Sequence, residues 1–168
     1  YRFPPDEVDV IESVVSEAGG TLSGYSMITG MQVTRLDAVT VGRPQFVSGF
    51  LIDPATFPPT GEIRAQDPSG ANLSDLLAGD NTIVISRNLA DQNQIAVGDT
   101  VRVSGTEEEF TVTGIVSTDI EAGIQNLIAG FFGFAYISVS EADTLGADTA
   151  PGVISIALPD GTPDESIL

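Results

Sequence analysis

Between Thr82 and Val116 the chain reads TIVISRNLADQNQIAVGDTVRVSGTEEEFTVTGIV. A short apolar strand, Thr82–Ile85, leads into a polar-capped segment, Ser86–Gln94, that suits a short helix. A Val97-Gly98-Asp99 turn follows, then two alternating strands joined by a polar tip, ending at Gly114. Strand, short helix, turn and hairpin within 35 residues describe a small β-rich platform. The charges Glu107, Glu108 and Glu109 fall at the hairpin tip and read as a solvated turn.

The rest of the chain supplies short elements around this platform. Asp6 is placed to cap a helix over Glu7–Ala18, whose Val8, Ile11, Val15 and Ala18 share one face and which Gly19-Gly20 ends. Strands are expected at Tyr25–Ile28, Gln32–Leu36, Ala38–Val41 and Gln45–Ile52. Asp53–Ser69, rich in Pro, Gly and Asp, reads as a long surface connection, with a brief helix at Asn72–Leu77. Ser140-Glu141-Ala142-Asp143 has the layout of a capping box opening a short helix, and Val153–Leu158 is a further strand. Thr162-Pro163-Asp164-Glu165 has the layout of a helix start, which suggests a piece of a longer polypeptide. The fold class expected is α+β, with mixed or antiparallel β-sheets and a few short helices. The length fits one domain, with a division into two lobes (about 1–52 plus 110–168, and 53–109) as a variant.

The composition removes most chemistry. The 168 residues include no His, Cys or Lys, so Ser-His-Asp and Cys-His triads, the usual zinc and redox-metal sites and Schiff-base chemistry are excluded. No phosphate-binding glycine loop of the G-x-x-x-x-G-K-[ST] type is present. Asp99 stands in a G-D-T order and reads as a turn residue bonding nearby amides. A carboxylate-based hydrolase would need a pair of acids, and none can be singled out. No cofactor and no metal is expected. The 24 acids stand against six bases, all arginine, for a net charge of −18. That excludes a phosphate-tracking nucleic-acid surface and reads either as a solubilising coat or as adaptation to salt or to a cationic partner. No apolar run reaches the roughly 18 residues of a membrane helix.

Thr118–Gly133 opens polar and turns apolar at Ile124, Leu127, Ile128, Phe131, Phe132 and, just beyond, Phe134. The run is either buried under the sheet or an exposed tip for a partner. Phe131, Phe132 and Phe134, with Leu127 and Ile128, are the candidate partner contacts, and the Asp53–Ser69 loop comes next.

An ordered series of segments resembles one family. Phe50–Phe57 (FLIDPATF), Leu73–Gly79, Ile83–Ala90, Val97–Val101 (VGDTV), Phe110–Val116 and Ala135–Leu145 (AYISVSEADTL) are similar, in this order, to segments of the extracytoplasmic core domain of MacB/FtsX/LolC-like ABC transporter permeases. No single motif is specific; the order carries the resemblance, which covers about Asp6 to Leu158. At Ala135–Ser138 the chain lacks a proline common in the family. The resemblance implies a non-enzymatic domain on the outer side of the cell membrane, held by helices outside this sequence. It implies as partners a cytoplasmic ATP-binding subunit, a second permease copy, and an adaptor or a lipoprotein or peptide substrate. Ala90–Val103 is also similar to a segment of the double-psi-barrel recognition modules of some AAA ATPases. Those modules place it near their start, whereas here about 80 residues precede it.

Overall fold

The computed structural model describes residues 1–36, 42–118 and 132–159, and every absence noted below concerns these residues. The expected strand Ala38–Val41 and the expected helix start at Thr162 lie outside them. Helix α1 spans Pro5–Glu17. It begins one step before the expected Asp6 cap. Pro4 takes the capping position and Pro5 the first turn, where a missing N–H costs nothing and the fixed φ already suits a helix. Val15 is buried and Val8, Ile11 and Ala18 are half-buried, so the inward face is the one the spacing predicts.

Strand β1 runs over Thr21–Leu36 without interruption and pairs antiparallel with β2, Gln45–Ile52. The two strands expected at Tyr25–Ile28 and Gln32–Leu36 are thus one. Gly30, which lies between them in sequence, falls in a register irregularity between Ile28 and Met31, a bulge that bends the strand without ending it. The remaining elements are α2 (Leu73–Leu76), β3 (Thr82–Ser86), α3 (Arg87–Asn93), β4 (Thr100–Val103), β5 (Glu109–Val116), β6 (Phe134–Ser138), a 3-10 turn (Val139–Glu141) and β7 (Val153–Ala157). The expected capping box at Ser140 is not formed. Ser138 is the cap instead, its Oγ accepting from Ser140 N, while Glu141 turns inward and accepts from Asn81 N at 2.9 Å.

The strand order is β2-β6-β3-β5-β4-β1-β7, and β1 also pairs with β2. Six strands therefore close into a barrel, and β7 lies outside the ring on the first residues of β1. The β2–β6 and β3–β5 pairs are parallel and the others antiparallel, which is the mixed α+β architecture expected. β3 and β4, from the 53–109 stretch, stand in the same ring as β1, β2, β5 and β6.

Side-chain alternation sorts the apolar residues into two cores. Met31, Val33, Val47, Leu51, Ile83, Ile85, Val101, Val103, Phe110, Val112, Ala135 and Ile137 fill the barrel interior, with contributions from all six strands. Phe50, Ile52, Val84, Val116, Phe134 and Tyr136 point outward into a second cluster, closed by Phe57, Leu73 and Leu77. The central strands are buried on both faces, which is why they read as continuous apolar runs. The Asp53–Ser69 stretch is correspondingly more than a surface connection. Phe57 and Ala65 are buried, and Gln66 N donates to Ile115 O (2.8 Å) while Ile115 N donates to Asp67 O (2.8 Å), so the excursion is fastened to β5 as a cover.

Candidate contact surface

The barrel has two distinguishable ends. Thr21, where β1 begins, pairs with Ala157, where β7 finishes, so residues entering β1 and leaving β7 share one end. β1 finishes at the opposite end, where β2 and β6 begin. Two large apolar side chains are exposed at that far end: Phe46 near the start of β2 (59 %) and Phe132 just before β6 (56 %).

Ser48 pairs in parallel with Phe134, and Ser48 N donates to Gly133 O at 3.1 Å, so Phe46 and Phe132 each stand two residues before the first paired position of β2 and β6. Gly133 sets the path. Its φ is +87°, and a β-carbon there would lie 2.7 Å from Leu89 Cβ and 2.9 Å from Ser86 Oγ. Only glycine fits so close to the start of α3 at that backbone angle. Phe134 N then donates to Ser86 Oγ at 2.9 Å, which draws the Ser86 hydroxyl away from capping α3 and fixes where β6 starts.

Of the five residues singled out from sequence, Phe132 is exposed as a contact residue needs to be. Phe134 corrects the expectation. It is 1 % exposed, with its ring 6.2 Å from Phe50 and 5.5 Å from Tyr136, and belongs to the outer core. Local apolarity could not separate two phenylalanines on either side of Gly133 in sequence. Phe131, Leu127 and Ile128 lie outside the described residues. Phe46 was missed, because QFVSGFLI reads as a strand buried on both faces and nothing local marks its first aromatic ring as the one left uncovered.

The polar groups have structural roles. Asp99 is the turn residue expected: its Oδ2 accepts from Ala96 N (2.9 Å) and meets Arg35 Nε (3.3 Å) at the end of β1. Glu107, Glu108 and Glu109 are exposed. Tyr136 is buried with no hydrogen-bond partner for its hydroxyl, and burial raises its phenol above the usual range, so the group stays protonated. Among the described residues no group of three acids is placed to hold a metal ion, and no helix is long and apolar enough to cross a membrane.

Comparison with known proteins gives one consistent result. Residues 2–167 match the family model of the MacB-like periplasmic core domain. The extracellular domain of the noncanonic ABC-type transporter YknZ from Gram-positive bacteria is 13 % identical, with 99 % of this chain and 86 % of that one covered and a TM-score of 0.63. The periplasmic region of MacB from Actinobacillus actinomycetemcomitans is 12 % identical over 94 % of this chain and 67 % of that one, with a TM-score of 0.62. A domain of a putative permease protein from Porphyromonas gingivalis is 16 % identical with a TM-score of 0.60; the match covers 87 % of this chain but 59 % of that one. No curated protein matches the chain. The similarity to AAA recognition modules draws no support from these matches.

Proposed function

The chain belongs to the family of MacB-like periplasmic core domains, and on that premise we propose that it couples ATP hydrolysis at a cytoplasmic subunit to movement or release of a substrate or envelope partner. The observation that carries this reading is the separation of the two ends of the barrel. Residues 1–20 and 153–159 gather at one end, and Phe46 and Phe132 are exposed at the other. In a permease the first end faces the membrane helices and the second faces the partner. A closed barrel filled with side chains suits this role, since close-packed interiors transmit displacement with little give. No bond-making group is needed, and the ATP chemistry belongs to the partner subunit.

The contact residues proposed are Phe46 and Phe132, together with Phe131, Leu127 and Ile128, which precede Phe132 in the same apolar run of sequence. Aromatic side chains that leave water on binding dominate interface energetics. A spin label at Phe132→Cys in the full-length permease, assembled with its ATP-binding subunit and a second copy, tests the coupling. The label-to-label distance is expected to differ by several ångströms or more between the nucleotide-free and ATP-trapped states. An unchanged distance distribution refutes the coupling.

A further inference from the structure

Helix α1 is lightly anchored to the barrel. Of its 13 residues only Val15 is buried, and Val10 (64 %) and Val14 (42 %) face outward. Beneath it lie two adjoining depressions of about 240 and 400 Å³, both lined by Glu12, Leu22 and Thr56, so the helix and the Ala55–Pro59 segment stand apart over a half-open groove. The chain entering it is fastened, with Arg2 Nη1 donating to Ser26 Oγ and Ala150 O and Phe3 N to Pro151 O (2.9 Å each), while at its far end Gly20 N donates back to Val15 O (2.8 Å) and closes the helix.

The helix is also the most charged element. Asp6, Glu7, Asp9, Glu12 and Glu17 give it −5 with no base, and the rest of the chain carries the remaining −13 of the total −18. Docking α1 therefore brings like charge onto like charge. Glu12 and Asp53 both line the smaller depression, and no arginine lines either one. Arg2, the nearest base in sequence, is engaged by Asp148 at 3.8 Å. The hydroxyl of Tyr1 donates to Glu7 and brings no positive charge.

Charge effects within the helix are mixed. Asp6 and Glu7 in the first turn favour the helix through its dipole. The Asp6–Asp9 and Asp9–Glu12 repulsions at i,i+3, and Glu17 in a last turn with no base, oppose it. These local contributions have opposite signs, so salt acts chiefly on the docking of the helix against the body.

We propose that α1 is a salt-controlled latch: it sits on the barrel at high ionic strength and is released at low ionic strength while the barrel stays folded. The screening length falls from about 10 Å at 0.1 M to about 3 Å at 1 M, so repulsion between the helix carboxylates and the acidic body is screened far more at the second concentration than at the first. The barrel does not follow, because eighteen buried residues hold it where one holds the helix. This inference goes beyond the transport reading and stands without it. With that reading, α1 is the element through which motion from the membrane side would reach β1.

Amide hydrogen exchange on the 168-residue chain tests the latch, with α1 amides 9–18 referred to those of β3 and β5 at each salt concentration. Between 0.05 and 2 M NaCl the relative protection of α1 is expected to rise about tenfold. In Asp9→Asn/Glu12→Gln the rise is expected to shrink to about threefold or less, since two of the five helix charges, including the one that lines the depression with Asp53, are gone. Val15→Ala is expected to lower α1 protection at every salt concentration and leave β3 and β5 unchanged, which separates undocking from loss of the whole fold. The proposal is overturned if α1 is as protected as β3 at 0.05 M. It is equally overturned if the neutralised variant responds to salt as strongly as the parent.

Discussion

Replacing Gly133 by alanine probes the geometry that presents the contact end. Two costs combine there. A φ of +87° is outside what alanine adopts freely, which costs about 1–2 kcal/mol. The new methyl group would also stand 2.7 Å from Leu89 Cβ and 2.9 Å from Ser86 Oγ. Leu89 and Ser86 are fully buried, so neither yields without disturbing the barrel or the Ser86 bond to Phe134 N, and such overpacking costs about 1–3 kcal/mol. Gly133→Ala is therefore expected to destabilise the chain by about 2–5 kcal/mol, a large share of the roughly 5–15 kcal/mol typical of a domain. At about 2–4 °C per kcal/mol for a chain of this size, the melting temperature falls by about 4–20 °C. Gly70→Ala is the internal control. Its φ is similar, +78°, but a β-carbon there meets nothing within 4 Å, so only the backbone cost of about 1–2 kcal/mol applies. Urea unfolding of both variants, with unchanged m-values, gives the difference directly. Equal destabilisation of the two variants would refute the close approach of Gly133 to α3.

Four further outcomes are expected. Phe110→Ala, emptying a fully buried position inside the barrel, should cost about 3–5 kcal/mol in urea unfolding. Phe46→Ala/Phe132→Ala should stay within about 1 kcal/mol of the parent, because both rings are already more than half in water; a loss as large as that of Phe110→Ala would place them in the core. Tyr136 buries a hydroxyl with no partner, so Tyr136→Phe should be neutral or stabilising by up to about 1 kcal/mol. The raised phenol of Tyr136 also sets a pH dependence. Its contribution is fully present below pH 10, the ordinary value, and is lost as pH rises through its higher folded value, because above 10 the unfolded chain releases the proton first. Denaturation between pH 9 and pH 12 should show a decline that Tyr136→Phe reduces; equal slopes would contradict the burial argument.

Short-range patterns read well wherever packing agreed with local preference. The inward face of α1, the Thr82–Ile85 strand, the Asp99 turn and the hairpin that follows are all legible because each rests on spacing or on a turn residue. The ring itself was not. Closure depends on β1 pairing with β2 on one edge and with β4 and β7 on the other, and nothing within β1 announces three partners. The same non-local packing explains the misreadings. The break between the expected strands Tyr25–Ile28 and Gln32–Leu36 is a bulge, Asp53–Ser69 reads as a surface connection and carries Phe57 into a core, and Phe134, a candidate contact, is walled in by Phe50 and Tyr136. At the contact end, Phe132 was legible as one of an apolar run. Phe46 becomes visible only in the fold, where it is exposed near the start of the strand that pairs with β6.

Cysteine accessibility in intact cells is the measurement that tests the central claim most directly. Phe132→Cys reports the far end of the barrel and Glu17→Cys the end where α1 meets β1, in a chain that has no cysteine of its own. In cells expressing the full-length permease, a membrane-impermeant maleimide added outside is expected to label both positions without permeabilising the inner membrane. A bound envelope partner is expected to protect position 132 and leave position 17 reactive. Labelling of either position only after the inner membrane is opened would contradict an extracytoplasmic domain.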